Sequence, residues 1–221
     1  MSIIIPAILT DNIDDFTGRL AEINTFPSVT NVQIDFADGR FAPHVILMPS
    51  KIPTLPLKYV FAAHLMVIRP ADYIVDIQRA GFEQVALHLE SFSGIQEFKT
   101  VASLAKDSGL DVQLAFNPDT SIDKVTQYIK EGDVGTVLVL GVNPGFQGSP
   151  YIPETENRVL ALRQADFYGT IIVDGGVSKD NIRNLITAGA DNLVVGSAIF
   201  HAKHPKEVYI ELLKESGENL T

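Results

Sequence analysis

Short apolar runs alternate with amphipathic stretches along the whole 221-residue chain. The runs of strand length are Ile3–Leu9, Val29–Phe36, Tyr59–Val67, Gln84–Leu89, Asp111–Phe116, Thr136–Leu140, Thr170–Val173 and Asn192–Val195. Helical spacing fills the gaps between them. Asn12–Ile23 carries Ile13, Phe16, Leu20 and Ile23 on one face, and Pro70–Ala80 opens on a proline and stops before Gly81. Further helices are predicted over Gly94–Ser108, Ile122–Glu131, Glu154–Gln164, Lys179–Ala188 and Lys206–Glu215. The connection after Phe36 contains Pro43, Pro49, Pro53 and Pro56 and predicts a loop with a short helix. Eight β–α repeats in this length predict one α/β domain over residues 1–221, a single (β/α)₈ TIM barrel with its active site at the C-terminal strand ends. A doubly wound sheet would carry glycines after its first strand. Here that strand ends Ala7-Ile8-Leu9-Thr10, and the glycine turns follow the last three strands.

The densest signal lies in Ile171–Phe200. A buried strand runs into Asp174, Gly175 and Gly176. A helix capped by Ser178 and closed by Gly189 follows, and the next strand ends in a small-residue turn at Gly196-Ser197. After Leu140 comes another glycine-rich loop, Asn143-Pro144-Gly145-Phe146-Gln147-Gly148. Backbone amides at three consecutive strand ends can converge on one anion, which points to a phosphate site. Asp174 cannot bind an anion, so its carboxylate is free for chemistry or a metal.

Composition narrows the partners. A formal net charge of −10 argues against nucleic acid and anionic membranes, and it requires any phosphate site to be local and built from backbone. The chain has no cysteine, which excludes disulfides and thiolate metal sites and fits a cytoplasmic protein. The N-terminal MSIIIPAIL lacks a basic flank and a cleavage pattern and reads as a first strand, and no apolar run approaches the length of a membrane span.

Polar residues on otherwise apolar strands are the candidates for chemistry. Strand alternation puts Gln33 and Asp35 on one face and Ile34 and Phe36 on the other. In a barrel the first face is the interior near the mouth, where His64 and Asp174 also end their strands. Two carboxylates and an imidazole can hold a divalent cation, or the carboxylates can serve as base and acid on opposite sides of a substrate carbon. Each residue alone has a plainer explanation, as a turn former or a hydrogen-bonded core group. His88 and Glu90 share a face and read as a hydrogen-bonded pair supporting the cluster. Asp38-Gly39 reads as a turn, His44 as a solvated loop residue, and His201 and His204 as surface residues.

These stretches resemble the ribulose-phosphate 3-epimerase family over nearly the full length. The residues that carry the resemblance are Pro6 to Leu9, Asp35 to Pro43 (DFADGRFAP), His64 to Val67, His88 to Glu90, Asn117 to Thr120, Asn143 to Gly148 (NPGFQG), Val173 to Val177 and Val195 to Phe200. The resemblance implies a (β/α)₈ barrel that interconverts D-ribulose 5-phosphate and D-xylulose 5-phosphate by moving a proton at C3 through an enediolate. It implies Asp35 and Asp174 as the catalytic acid/base pair. With His64 they would hold a divalent metal: zinc, iron or manganese. Phosphate and substrate would sit on Gly145, Phe146, Gln147, Gly148, Gly175, Gly176, Gly196 and Ser197, with Met66 against the sugar. Family members are commonly homo-oligomers.

The sequence departs from the family pattern around the catalytic floor. Gln33 stands where the family has a metal-ligating histidine, Ala7 where it has a substrate-contacting serine, and Ala37 and Leu140 where it has methionines. Ala62 replaces an aspartate, and His44 an asparagine. An amide oxygen is a poorer ligand than imidazole for a transition metal, which leaves open weak metal binding or none. Three functions follow from this pattern: a sugar-phosphate epimerase, a phosphosugar-binding paralogue without epimerase activity, and a metal-independent isomerase or aldolase-type enzyme on the same scaffold.

Overall fold

The computed structural model describes residues 3–144 and 148–217. Eight parallel strands close into a barrel in sequence order: β1 (Ile3–Ile8), β2 (Asn31–Ala37), β3 (Val60–Met66), β4 (Gln84–His88), β5 (Asp111–Phe116), β6 (Thr136–Leu140), β7 (Thr170–Asp174) and β8 (Asn192–Val195). β8 pairs back onto β1, with Ile5 opposite Val194. The helices are α1 (Ile13–Ile23), α2 (Ile74–Ala80), α3 (Ile95–Asp107), α4 (Ile122–Gly132), α5 (Thr155–Gln164), α6 (Ile182–Ala188), α7 (Ser197–Phe200) and α8 (Pro205–Glu215). This is the predicted (β/α)₈ barrel. Among the described residues, no helix is long and apolar enough to cross a membrane.

Strand alternation divides the core into two shells. Outward side chains, including Ile34, Phe36, Phe61 and Phe116, pack against the helices in one large apolar cluster. Inward ones are smaller and form a second cluster of Ile5, Ala7, Ala86, Ala115, Leu138, Leu140, Ile172 and Val194. Small and branched residues fit the narrow barrel axis. Burying each large side chain contributes about 1.5–3 kcal/mol, so the outer shell supplies most of the cohesion. Local signals set the element ends. Asn12 Oδ1 caps α1 by accepting from Asp14 N–H at 2.7 Å and Asp15 N–H at 3.2 Å.

Most predicted boundaries shift by one or two residues, and three elements differ more. Pro70–Tyr73 forms a 3₁₀ turn before α2. α6 begins at Ile182 rather than Lys179, because Asn181 accepts from Ser178 N–H at 2.9 Å and donates to Gly176 O at 2.9 Å. Ser178 therefore belongs to the turn and is not the cap. The predicted turn at Gly196-Ser197 opens directly into α7.

Two features brace the ends of the barrel. At the N-terminal end, Arg163 of α5 donates to Gly189 O, Phe167 O, Gly169 O and Asp191 Oδ2, all within 2.6–3.0 Å. At the mouth, the loop after β2 folds back over the strands: Asp38 pairs with Val45, and Ile46 N–H donates to Ala37 O at 3.0 Å. Asp38 organises this loop by accepting at 2.8 Å from the N–H groups of Arg40, Phe41 and Ile68. Burial raises its pKa, but those three bonds outweigh it and the carboxyl lies below its usual range. Asp38→Ala is expected to cost about 1.5–3 kcal/mol, read as a lower midpoint in urea, with the loss present at neutral pH and shrinking as acid protonates Asp38.

Candidate active site

The mouth holds a cleft lined by residues from β1, β2, β3, β6, β7 and β8 and the turns that follow them. Its floor is polar. Gln33, Asp35, His64 and Asp174 all point inward and are 2%, 7%, 1% and 7% exposed. The register puts Asp35 directly opposite His64 on β3, while Asp174 arrives from β7 across the barrel. His64 Nδ1 lies 3.1 Å from Asp35 Oδ1 and 3.1 Å from Asp174 Oδ2. The Gln33 amide nitrogen donates to the same two oxygens, at 2.8 and 2.7 Å. Both carboxylates are thus gathered around one imidazole nitrogen and one amide.

Behind this cluster, His64 Nε2 meets His88 Nε2 at 2.9 Å, and His88 Nδ1 meets Glu90 Oε2 at 3.2 Å. Glu90 accepts from Asn117 N–H at 2.9 Å and from the Thr120 hydroxyl. Phe41, from the loop over the mouth, covers His88 with ring centroids 4.7 Å apart.

Burial and charge set the protonation of these groups. Burial, and then the charge of Asp174, hold the Asp35 carboxyl above its usual range, against hydrogen bonds to His64 and Gln33. Burial alone would depress His64, but its bonds to Asp174 and Asp35 outweigh it and raise the imidazole to about 10. Burial drives His88 down to about 4, with His64 adding to the shift and Glu90 opposing it. Burial would raise Glu90, yet its bonds to His88, Thr120 and Asn117 hold it below its usual range.

One pH dependence follows from His64. The folded protein keeps the His64 proton to about pH 10, whereas the unfolded chain releases it near 6.5. The stabilisation this group supplies to the metal-free protein is therefore full below about 6.5 and falls as pH rises through about 10. Urea melts in chelator across that window are expected to show the decline in the wild type and a shallower one in His64→Gln.

The cluster also suits a divalent cation. Asp35, His64 and Asp174 each offer one ligand atom, and these atoms lie within 4.8 Å of one another. Two carboxylate oxygens and an imidazole nitrogen match the preferences of zinc, iron and manganese. Gln33 points into the same site, but with its nitrogen forward and both amide hydrogens engaged by the carboxylates.

The glycine turns stand at one edge of the cleft. Gly148, Gly175, Gly176, Gly196 and Ser197 line it, as do Ala7, Met66 and Leu140. Gly145, Phe146 and Gln147 lie outside the described residues. At the start of α7, the N–H groups of Ile199 and Phe200 both donate to Gly196 O, at 3.0 and 3.1 Å. His88 and Glu90 join the cluster as the predicted pair, whereas His44, His201 and His204 are exposed. Leu9, Val142, Pro144, Ser149 and Val177 also line the cleft. Leu9, Pro144 and Val177 fall within the stretches that carry the family resemblance, whereas Val142 and Ser149 lie outside them. The roles of Asn117 and Thr120 were not foreseen from their spacing.

A closed eight-stranded barrel with a carboxylate–imidazole floor beside glycine turns has the layout of a (β/α)₈ enzyme, its site at the C-terminal strand ends. The backbone is similar to that of KGPDC from Streptococcus mutans in a ligand complex: TM-score 0.72 over 98% of this chain and 97% of that one, at 12% identity, a likeness of fold. In sequence, the chain is 32% identical to ribulose-phosphate 3-epimerase of Synechocystis sp., covering 80% of this chain and 78% of the relative. It is 33% identical to ribulose-phosphate 3-epimerase of Escherichia coli strain K12, covering 83% of each. The Ribulose-phosphate 3 epimerase family model matches residues 3–200, and the chain belongs to that family.

Proposed function

We propose that this protein epimerises a ketose phosphate at C3, with D-ribulose 5-phosphate as the first substrate to test. The observation that carries this reading is the meeting of Asp35 and Asp174, from β2 and β7, around His64 in a cleft edged by glycine turns. A C3 proton moved from one face of a sugar to the other needs a carboxylate on each side. Asp35 takes the proton from one face and Asp174 returns one to the other, with the roles reversed in the back reaction. The raised Asp35 carboxyl is well placed for this task, because a carboxylate held above its usual range is a better proton acceptor than an ordinary aspartate. The turns at Gly148, Gly175, Gly176 and Gly196-Ser197 hold the phosphate through backbone amides, so a strongly acidic chain needs no basic cluster to bind it.

Asp35, His64 and Asp174 would hold a divalent cation. When bound, it supplies positive charge to the substrate oxygens that gain negative charge as the C3 proton leaves. Met66 and Ala7 shape the sugar pocket. A metal-independent isomerisation is the second reading. It is favoured by Gln33, whose amide hydrogens bridge the two carboxylates at 2.8 and 2.7 Å.

Incubation with D-ribulose 5-phosphate in D₂O tests both. Deuterium is expected at C3, with xylulose 5-phosphate formed. Exchange that survives chelation favours the metal-independent route. No exchange with or without Zn²⁺, Mn²⁺ or Fe²⁺ would sink the epimerase reading.

A further inference from the structure

We infer that Glu90, acting through His88, keeps a hydrogen on Nε2 of His64 and so leaves Nδ1 to serve Asp35 and Asp174. The inference deepens the proposed function, since it concerns how that site is held ready. It follows from donors and acceptors taken in order from the far end. Asn117 N–H can only donate, and it meets Glu90 Oε1 at 2.9 Å, so that end of the Glu90 side chain must be an acceptor. The other oxygen, Oε2, meets His88 Nδ1 at 3.2 Å, and a carboxylate oxygen can only accept. The hydrogen of the neutral His88 ring therefore sits on Nδ1, and its Nε2 is a bare acceptor. His88 Nε2 lies 2.9 Å from His64 Nε2, so His64 must donate from that nitrogen.

His64 Nδ1 is the atom left to meet the two carboxylates, at 3.1 Å each. It offers them either a removable proton or, to a cation, a lone pair. The chain of bonds begins at a backbone amide after β5 and ends at the reacting carboxylates. His64 and His88 are almost wholly buried, so water does not compete for their ring nitrogens. Glu90 and His88 are positioning residues: they hold the Nε2 hydrogen on His64 and need not touch substrate.

Glu90→Gln reverses the whole series with little change in shape. The amide oxygen stays with Asn117 N–H, because only an acceptor fits there, and the NH₂ group turns to His88 Nδ1. His88 must then carry its hydrogen on Nε2 and donate it to His64 Nε2. His64 is left with a single hydrogen, on Nδ1, directed at the carboxylates where a metal would need a lone pair.

Two-bond ¹H–¹⁵N correlation spectra of the imidazoles in full-length, metal-free protein read this directly. The wild type is expected to show His88 protonated at Nδ1 alone and His64 protonated at Nε2 as well as at Nδ1. Glu90→Gln is expected to show His88 protonated at Nε2 and His64 at Nδ1 alone, and to bind Co²⁺ roughly 10- to 100-fold more weakly. A bare His88 Nδ1 in the wild type overturns the inference even if the variant does not fold. So does a variant in which His64 keeps its Nε2 hydrogen. The spectra need no substrate, so a tautomer swap in a protein that fails to epimerise would refute the proposed function and leave this inference standing.

Discussion

Asp174→Asn is expected to slow turnover of D-ribulose 5-phosphate by about 10²- to 10⁴-fold, the usual contribution of a positioned acid or base. The substitution is close to isosteric. The amide oxygen it introduces can still accept from Gln33 and keep the end of β7 in place, so the loss should come from proton transfer and not from folding. The asymmetry of the site makes the result informative. Asp35 remains, raised by burial but no longer by its neighbour's charge, so it would ionise more readily in the variant. The surviving carboxylate should therefore still exchange deuterium into substrate from one face without completing inversion. Coupled kinetics and a C3 wash-in measurement on the same preparation separate the two steps. Turnover within about threefold of the wild type, well short of the loss a positioned acid or base should cause, would remove Asp174 from the chemistry.

The second large effect is expected at Gly175. Its φ of 95° is a conformation that side-chain-bearing residues rarely adopt, and an added Cβ would lie 2.5 Å from Val142 Cγ2. The crowding extends to the next strand. Gly141 N–H donates to Asp174 O at 2.7 Å, and a Cβ on Gly141 would meet Gly175 O at 2.4 Å. The turn therefore has no room to relax towards β6. Gly175→Ala should cost about 1–3 kcal/mol of stability from backbone strain. It should also weaken binding of inorganic phosphate or ribulose 5-phosphate by about tenfold or more, as a displacement worth about 1.4 kcal/mol would. Gly94→Ala is the matched control, because Gly94 is extended and has nothing within 4 Å of the added atom. Calorimetric titration and thermal melts of the two variants should differ clearly. Equal affinities would show that the Gly175 turn does not cradle the phosphate.

The parts of this architecture that sequence made visible are those with a local physical cause. A polar residue two places from another on an apolar strand must share its face, so Gln33 and Asp35 could be placed in the interior from alternation alone. The glycine turns were visible because three of them follow consecutive strands. What stayed hidden depends on contacts between distant segments. Ser178 and Asn181 are equally good caps by residue type, and the bond from Asn181 to Gly176 O decides between them. Pro70 starts a helix legitimately, yet its first turn tightens to 3₁₀. The bonds from Asn117 and Thr120 to Glu90 span 27 and 30 residues, and no periodicity links those positions. The amide orientation of Gln33 is likewise a product of two acceptors brought together from opposite sides of the barrel.

Arg163 has a bearing on how this barrel can change. It gathers the carbonyls of Phe167, Gly169 and Gly189 and the Asp191 carboxylate at the rim away from the cleft. Asp191 in turn accepts from Ile171 N–H at 2.7 Å, so the arginine holds the entrances to β7 and β8 together. The two strands whose far ends carry Asp174 and Gly196 are thus anchored like two tines on one handle. Substitutions at the tips can reshape the cleft while the handle keeps the cylinder shut, so the Asp174-to-Ser197 rim can vary without opening the barrel.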